Sequence, residues 1–233
     1  AITVWAPTAQ NVEFLLFEDS APGTDPTVLP MSHNSAAGTW RIVGQPGWDR
    51  QYYLFRVTVY APTEQAIVVN DVTDPYSVSL SLNSTRSQLV NLSDTDLMPD
   101  GWASLEKPAL DAPEDITVYE LHVRDFSAFD ESVPEALRGT YEAFTLDDSN
   151  GVAHLQALQA AGLTHLHLLP TFDIATINEN KPRWFEPDYE ELAALASDSE
   201  EQQAIIDPIR DLDGFNWGYD PYHYNVPEGS YST

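Results

Sequence analysis

Up to Val72 the chain holds runs that favour strands and no pattern that favours a helix. "AITVWAPTA" (1–9), "VEFLLFE" (12–18), "TWRIVG" (39–44), "QYYLFRVTVY" (51–60) and "AIVVND" (66–71) are rich in Val, Ile, Tyr, Phe and Trp. Turn-forming stretches such as "APGTDP" and "GQPGWD" separate them. Side chains alternate across a strand, so Tyr53, Phe55, Val57 and Val59 share one face, and Leu54, Arg56 and Thr58 the other. That alternation suits a sheet with one face in a core and the other nearer water. Short strands in series with no helix between them predict a β-sandwich of roughly 80–100 residues. From about Asp74 to Asp115 the chain is rich in Ser, Asp, Asn and Pro and reads as a connector hugging the surface. The sandwich is accordingly bounded at 1–95 and the connector proper at 96–115.

Beyond the connector the texture becomes strand, helix, strand. "ITVYELHV" (116–123) and "THLHLLP" (164–170) are β runs. Between them, "NGVAHLQALQAAG" (150–162) sets Val152, Leu155 and Leu158 at helical spacing, with Gly162 placed to stop the helix. This order predicts a βαβ unit with parallel strands. Such strands are usually apolar throughout when both faces are covered. Here Glu120, His122 and Arg124 share one face of the first, and His165 and His167 one face of the second. A closed barrel with a polar network near its active end accommodates them, since a buried polar group must be hydrogen-bonded.

Charge narrows the function classes. Ten basic residues stand against 37 acidic ones, a net charge of −27. Nucleic acid and anionic membrane surfaces are poor partners for such a chain, while a neutral substrate is indifferent to it. With no cysteine, disulfides and thiol chemistry are excluded. No apolar run approaches the ~20 residues that cross a bilayer, and no signal-peptide pattern stands at the start. The sequons at Asn83 and Asn91 are weak signals.

The densest aromatic stretch is "FNWGYDPYHYNVPEGSYST" (215–233), which reads as neither an ordinary strand nor an ordinary helix. Together with "VYELHVRDFS" (118–127), "LRGTYEAFT" (137–145) and "GLTHLHLLPTFDIATINE" (162–179), it resembles pullulanases, the α-1,6-debranching glycoside hydrolases of the α-amylase superfamily. "ITVWAPTAQNVEFLLFE" resembles the carbohydrate-binding module preceding the barrel in debranching and branching enzymes. Only an acidic insertion at 180–212 lacks recognisable signature.

The resemblance implies an immunoglobulin-like β-sandwich followed by the first part of a (β/α)8 TIM barrel, occupying 116–233. It implies an α-glucan partner, hydrolysis of α-1,6 branch linkages with retention, and a bacterial extracellular, periplasmic or cell-surface setting. It further implies that the tyrosine matched by Tyr219 forms a platform for the glucose ring at the cleaved position. Physically, pyranose rings present apolar C–H faces to aromatic rings and hydroxyls to polar groups. Asn216 and Asp220 are placed to bond hydroxyls or hold the loop, and Trp217 to stack on sugar or pack beneath the loop. Phe215, Tyr222 and Tyr224 are read as packing between loop and barrel.

Retaining cleavage takes two carboxyl groups about 5–5.5 Å apart, which in the resembling family follow the fourth and fifth barrel strands. No catalytic residue is therefore expected in this chain, which alone should be inactive. The remaining part of the barrel is an expected partner. Glu120, Asp125, Asp173 and Glu179 are the in-chain carboxylates considered, and all are set aside, because acidic residues meet by abundance here. His165 and His167 are read as barrel-interior packing rather than metal ligands. Asp173, Asn178 and Glu179 offer oxygen ligands of the kind calcium takes, without fixing a site. Alternative functions are another α-glucan debranching or branching enzyme, or a non-catalytic α-glucan-binding protein.

Overall fold

A computed structural model describes residues 1–233, which divide into two compact units, Ala1–Trp102 and Ala103–Thr233. The first unit is built of strands β1 (Ile2–Trp5), β2 (Ala9–Phe17), β3 (Thr27–Pro30), β4 (Ser32–Asn34), β5 (Thr39–Ile42), β6 (Tyr52–Ala61), β7 (Ala66–Val72) and β8 (Ser87–Gln88). They form two antiparallel sheets, ordered β1-β5-β4 and β3-β2-β6-β7, with β8 added on β6. The core draws Trp40, with Ile2, Val4 and Ile42, from the first sheet and Val12, Phe14, Leu16, Tyr53 and Phe55 from the second. Phe14 stacks on Trp48 and Tyr53 and meets the edge of Phe55. Along β6 the expected alternation is clear at Tyr53 and Phe55, which are buried, while Val57 and Val59 are half-buried like Leu54, Arg56 and Thr58 on the other face. Strands β3 and β4 carry no strand signal in the sequence: they are short, and Pro30 closes the first.

Residues 74–88 lie against the second sheet of the first unit. Tyr53 donates its hydroxyl to Asp74 Oδ2 at 2.9 Å, and the Asp74 backbone N–H donates to Ser87 Oγ at 2.9 Å. Ser77 and Ser87 are buried and bonded to each other. The Arg86 guanidinium stands 3.8 Å from the centre of the Phe17 ring and donates to the Asp19 carbonyl. Small hydroxyl side chains let this segment lie close on the sheet and satisfy its polar groups there, which their loop-like composition conceals.

In the second unit, β9 (Val118–Leu121) and β10 (His165–Leu168) pair in parallel, with helix α1 (Asn150–Ala160) between them in sequence. The βαβ unit is as read. Ser149 caps α1 by accepting the Val152 N–H at 3.3 Å, and Gly162 ends the turn after it at φ +110°. Asp130 braces the same helix start, accepting from Ser132, Asn150 and Gly151. Two further strands, β11 (Phe172–Ile174) and β12 (Pro221–Pro227), pair antiparallel, and the 180–212 segment holds two short helices, α2 (Tyr189–Ala194) and α3 (Glu201–Ile206). No helix is long and apolar enough to cross a membrane.

One reading is corrected: the aromatic segment contains a strand, β12, which proline at both ends disguises. Within this chain His165 and His167 are exposed, with His165 Nδ1 2.9 Å from Thr164 Oγ1 and His167 Nδ1 3.0 Å from Glu120 Oε2.

The bonds from Ser132 chiefly hold the Asp130 carboxyl below its ordinary range. A lowered folded value means that the ionised carboxylate stabilises the fold above the unfolded value of 3.8 and ceases to as pH falls through the folded one. Asp130→Asn is expected to lower the melting temperature at neutral pH, the deficit vanishing in acid. Melts from neutrality down to about pH 2 check this, and a pH-independent deficit would contradict it.

Candidate functional site

The site grows from the backbone of 215–219. Gly218 sits at φ +76°, and a Cβ there would meet the Pro170 side chain and carbonyl at 3.0 Å. Glycine therefore lets the loop turn sharply against the end of β10. The turn leaves Trp217 60% and Tyr219 70% exposed, with Phe215 edge-on to Trp217 at 5.5 Å. Tyr222 and Tyr224 on β12 are exposed as well, although Tyr224 touches Phe172. Within this chain the three rings are not enclosed, and Phe215 and Tyr224 each keep one aromatic neighbour. Asp220 is exposed too, and its carbonyl accepts the Ala175 N–H, fixing the start of β12.

Beside the ring cluster lies a cleft of about 390 Å³, lined among others by Tyr119, Glu120, His122, Asp125 and Trp217. Beneath it is a buried network that joins both ends of the unit. His122 Nδ1 accepts the Asp125 N–H at 3.3 Å, which leaves the proton on Nε2. That nitrogen faces Tyr231 Oη at 3.1 Å and Asn216 Oδ1 at 3.4 Å, while the Tyr231 hydroxyl donates to Asn216 Oδ1 at 2.9 Å. The Asn216 carbonyl oxygen thus receives two donors, and its buried Nδ2 has no hydrogen-bond partner within this chain. Burial, with the Glu228 charge next, pushes the Tyr231 hydroxyl up, so it stays a proton donor at any ordinary pH.

Glu228 is fully buried. Its Oε2 accepts the Ile174 N–H at 2.7 Å and its Oε1 the Ser230 N–H at 2.8 Å. Burial pushes its carboxyl up, against those bonds, with Asp173 adding a smaller push. Asp173, Glu179 and Glu228 bring carboxylate oxygens within 4.8 Å of one another. This all-oxygen set has the chemistry calcium takes, and it brings in Glu228 but not Asn178. Asn178 instead accepts the Asn180 N–H in a turn. Hydrogen bonds already account for the placement of two members, since Asp173 Oδ2 also meets His223 Nδ1 at 2.6 Å.

Of the other carboxylates considered, Glu120 pairs with His167, and Asp125 with Arg124 at 3.3 Å. Neither stands in an arrangement for glycoside cleavage. Sequence reasoning missed Glu228 and Tyr231 because Ile174 and His122, which join them to the rest of the unit, lie 54 and 109 residues away. It singled out Asn216, whose orphaned amide was visible only in three dimensions.

A β-sandwich unit and a second unit with a parallel βαβ pair define the class: a chain of modular β and α/β build. Residues 1–77 match the model of carbohydrate-binding module 48, the isoamylase N-terminal domain. The chain as a whole resembles pullulanases. It is 43% identical over 235 residues to pullulanase 1, chloroplastic, of Arabidopsis thaliana, covering 100% of this chain and 24% of that protein. Klebsiella pneumoniae pullulanase is 39% identical over 269 residues, covering 99% of this chain and 24% of that one. The crystal structure of Klebsiella pneumoniae pullulanase complexed with maltotriose superposes with a TM-score of 0.91 at 37% identity, covering 98% of this chain and 25% of that one. Pullulanase from Bacillus acidopullulyticus gives 0.74 at 31%, covering 99% and 24%. The chain thus spans about a quarter of the length of these relatives.

Proposed function

We propose that the chain is the N-terminal part of an α-1,6-glucan-debranching hydrolase. Residues 1–95 are its carbohydrate-binding sandwich, 96–115 the connector, and 116–233 the opening of a (β/α)8 barrel whose remaining strands carry the catalytic carboxylates. The observation that carries this reading is the cluster of exposed rings from Phe215 to Tyr224 at a cleft floored by a buried polar network. Water-exposed rings on a glycine-set loop make a surface for the apolar face of a sugar. The orphaned Asn216 Nδ2 is a donor awaiting an acceptor, and a buried group of this kind asks for a partner. Parallel β9 and β10, exposed along most of their length, support the barrel reading, since a two-stranded parallel sheet needs further strands and cover. The relatives' name, and maltotriose in one of their structures, fit an α-glucan substrate.

In this reading Tyr219 stacks on the glucose at the cleaved position, Trp217 flanks it, and Asn216 and Asp220 bond hydroxyls. Tyr219→Ala in the complete enzyme is expected to lower kcat/KM on pullulan by about 1–3 kcal/mol of transition-state binding, roughly ten- to a hundredfold. The melting temperature should barely move, because the ring is 70% exposed. Pullulan kinetics and thermal melts on one preparation check both. A large stability loss with unchanged kinetics would make Tyr219 a packing residue and remove the reading's main support.

A further inference from the structure

Trp217 and Tyr219 are exposed, so packing around the rings does not by itself fix where they point. Their pose comes from the backbone beneath, which is fastened at three places. The Asn216 side chain is buried, Gly218 lies close against Pro170, and the Asp220 carbonyl accepts the Ala175 N–H at 3.0 Å. The last two fastenings involve the loop's backbone alone. The first depends on two side chains from other parts of the unit: His122, just past β9, and Tyr231, beyond β12.

Packing does not call for the Tyr231 hydroxyl. The ring meets His122 and Tyr141 edge-on at 5.7 and 5.6 Å, contacts that a phenylalanine would make as well. A buried hydroxyl is costly unless it is bonded, so its presence points to the bond it makes, 2.9 Å to Asn216 Oδ1. His122 brings its Nε2–H to the same pair, 3.1 Å from the Tyr231 hydroxyl and 3.4 Å from Asn216 Oδ1. Two donors at Oδ1 decide which end of the Asn216 amide is which and hold its plane. Tyr231, His122 and Asn216 are 1, 5 and 8% exposed within this chain, so the network is closed whatever lies over the cleft. His122 and Trp217 line that same cleft, which brings the network next to the rings.

We infer that Tyr231 and His122 are positioning residues for the sugar-binding loop: they fix Asn216, and through it the backbone that presents Trp217 and Tyr219. That the loop binds sugar rests on the function proposed above. A ring on a loose loop gives up conformational freedom each time it stacks on a ligand, whereas on a fastened loop that ordering is done in folding. Both residues act through Asn216 rather than on the sugar.

The test uses the complete enzyme. Tyr231→Phe, which keeps the ring, is expected to lower kcat/KM on pullulan roughly tenfold, chiefly in kcat, because a slightly displaced platform still binds but fits the transition state less well. In the Tyr219→Ala background the same substitution should cost about twofold or less, since the ring it positions is gone. His122→Gln keeps a donor near the place of Nε2–H and should lose less than His122→Ala. An undiminished kcat/KM in Tyr231→Phe overturns the inference. So does a loss that persists in full without Tyr219, which would make Tyr231 a residue of the fold alone. Equal losses in the two His122 variants remove His122 from the proposal. With fluorotryptophan in the chain, the Trp217 resonance, assigned by its loss in Trp217→Phe, is expected to move in Tyr231→Phe without any substrate, and an unmoved resonance also overturns the inference. A complete enzyme without action on pullulan, whose Trp217 still responds to Tyr231→Phe, would end the debranching reading and leave the positioning of the loop standing.

Discussion

Phe14→Ala is expected to cost the first unit about 3–5 kcal/mol, the range for emptying a buried aromatic site. Phe14 has no exposed surface and sits where three rings converge: Trp48 at 5.6 Å, Tyr53 at 5.0 Å and Phe55 at 6.0 Å. Removing it strips each of those rings of a stacked or edge-on neighbour and opens a cavity between two sheets that rigid strands close poorly. A domain of this size holds roughly 5–15 kcal/mol in all, so the loss is a large share. The corresponding fall in melting temperature is upward of about 10 °C. Phe14→Leu keeps most of the volume and should cost much less. Calorimetry on the two variants decides the matter. A Phe14→Ala transition within a few degrees of wild type would mean that the sandwich does not depend on this cluster.

The second large effect belongs to Glu228. Its two oxygens hold the Ile174 and Ser230 backbone N–H groups, tying β11 to the segment that follows β12. Glu228→Ala leaves both donors buried without an acceptor, at about 1–3 kcal/mol each. The gain from no longer burying a carboxylate offsets part of this, so the net loss expected for the second unit is about 2–4 kcal/mol. Glu228→Gln should recover only part of it, because the amide presents one acceptor and turns a donor towards the other N–H. Faster hydrogen exchange at the Ile174 and Ser230 amides, alongside a lowered melting temperature, is the expected signature. Unchanged protection at those amides would show that Glu228 is not the clamp.

Much of the fold was legible because its signals are local. The alternation through Tyr53, Phe55 and Val57 marked β6, and Val152, Leu155 and Leu158 before Gly162 marked α1. What escaped depends on distant partners. Ser77 and Ser87 look like linker residues until Asp74 and Tyr53 are brought to them. β12 escaped because Pro221 and Pro227 bound it and because Tyr222 and Tyr224 face water, so no buried stripe marks it. In the site, Tyr219 and Trp217 could be singled out by residue type beside glycine. Glu228 could not, since one of the two backbone N–H groups it accepts belongs to Ile174, 54 residues away.

The contact between His122 and Tyr231 has a bearing on how freely this sequence can change in length. It closes a loop 109 residues apart along the chain, with the acidic 180–212 stretch inside it. Closure entropy rises only with the logarithm of loop length, about 0.6 kcal/mol for each doubling. Adding or removing some thirty residues inside so long a loop therefore shifts the cost of bringing its ends together by less than about half a kcal/mol. Evolution can resize the 180–212 stretch at little thermodynamic penalty, while the residues that meet at the ends of the loop have no such latitude.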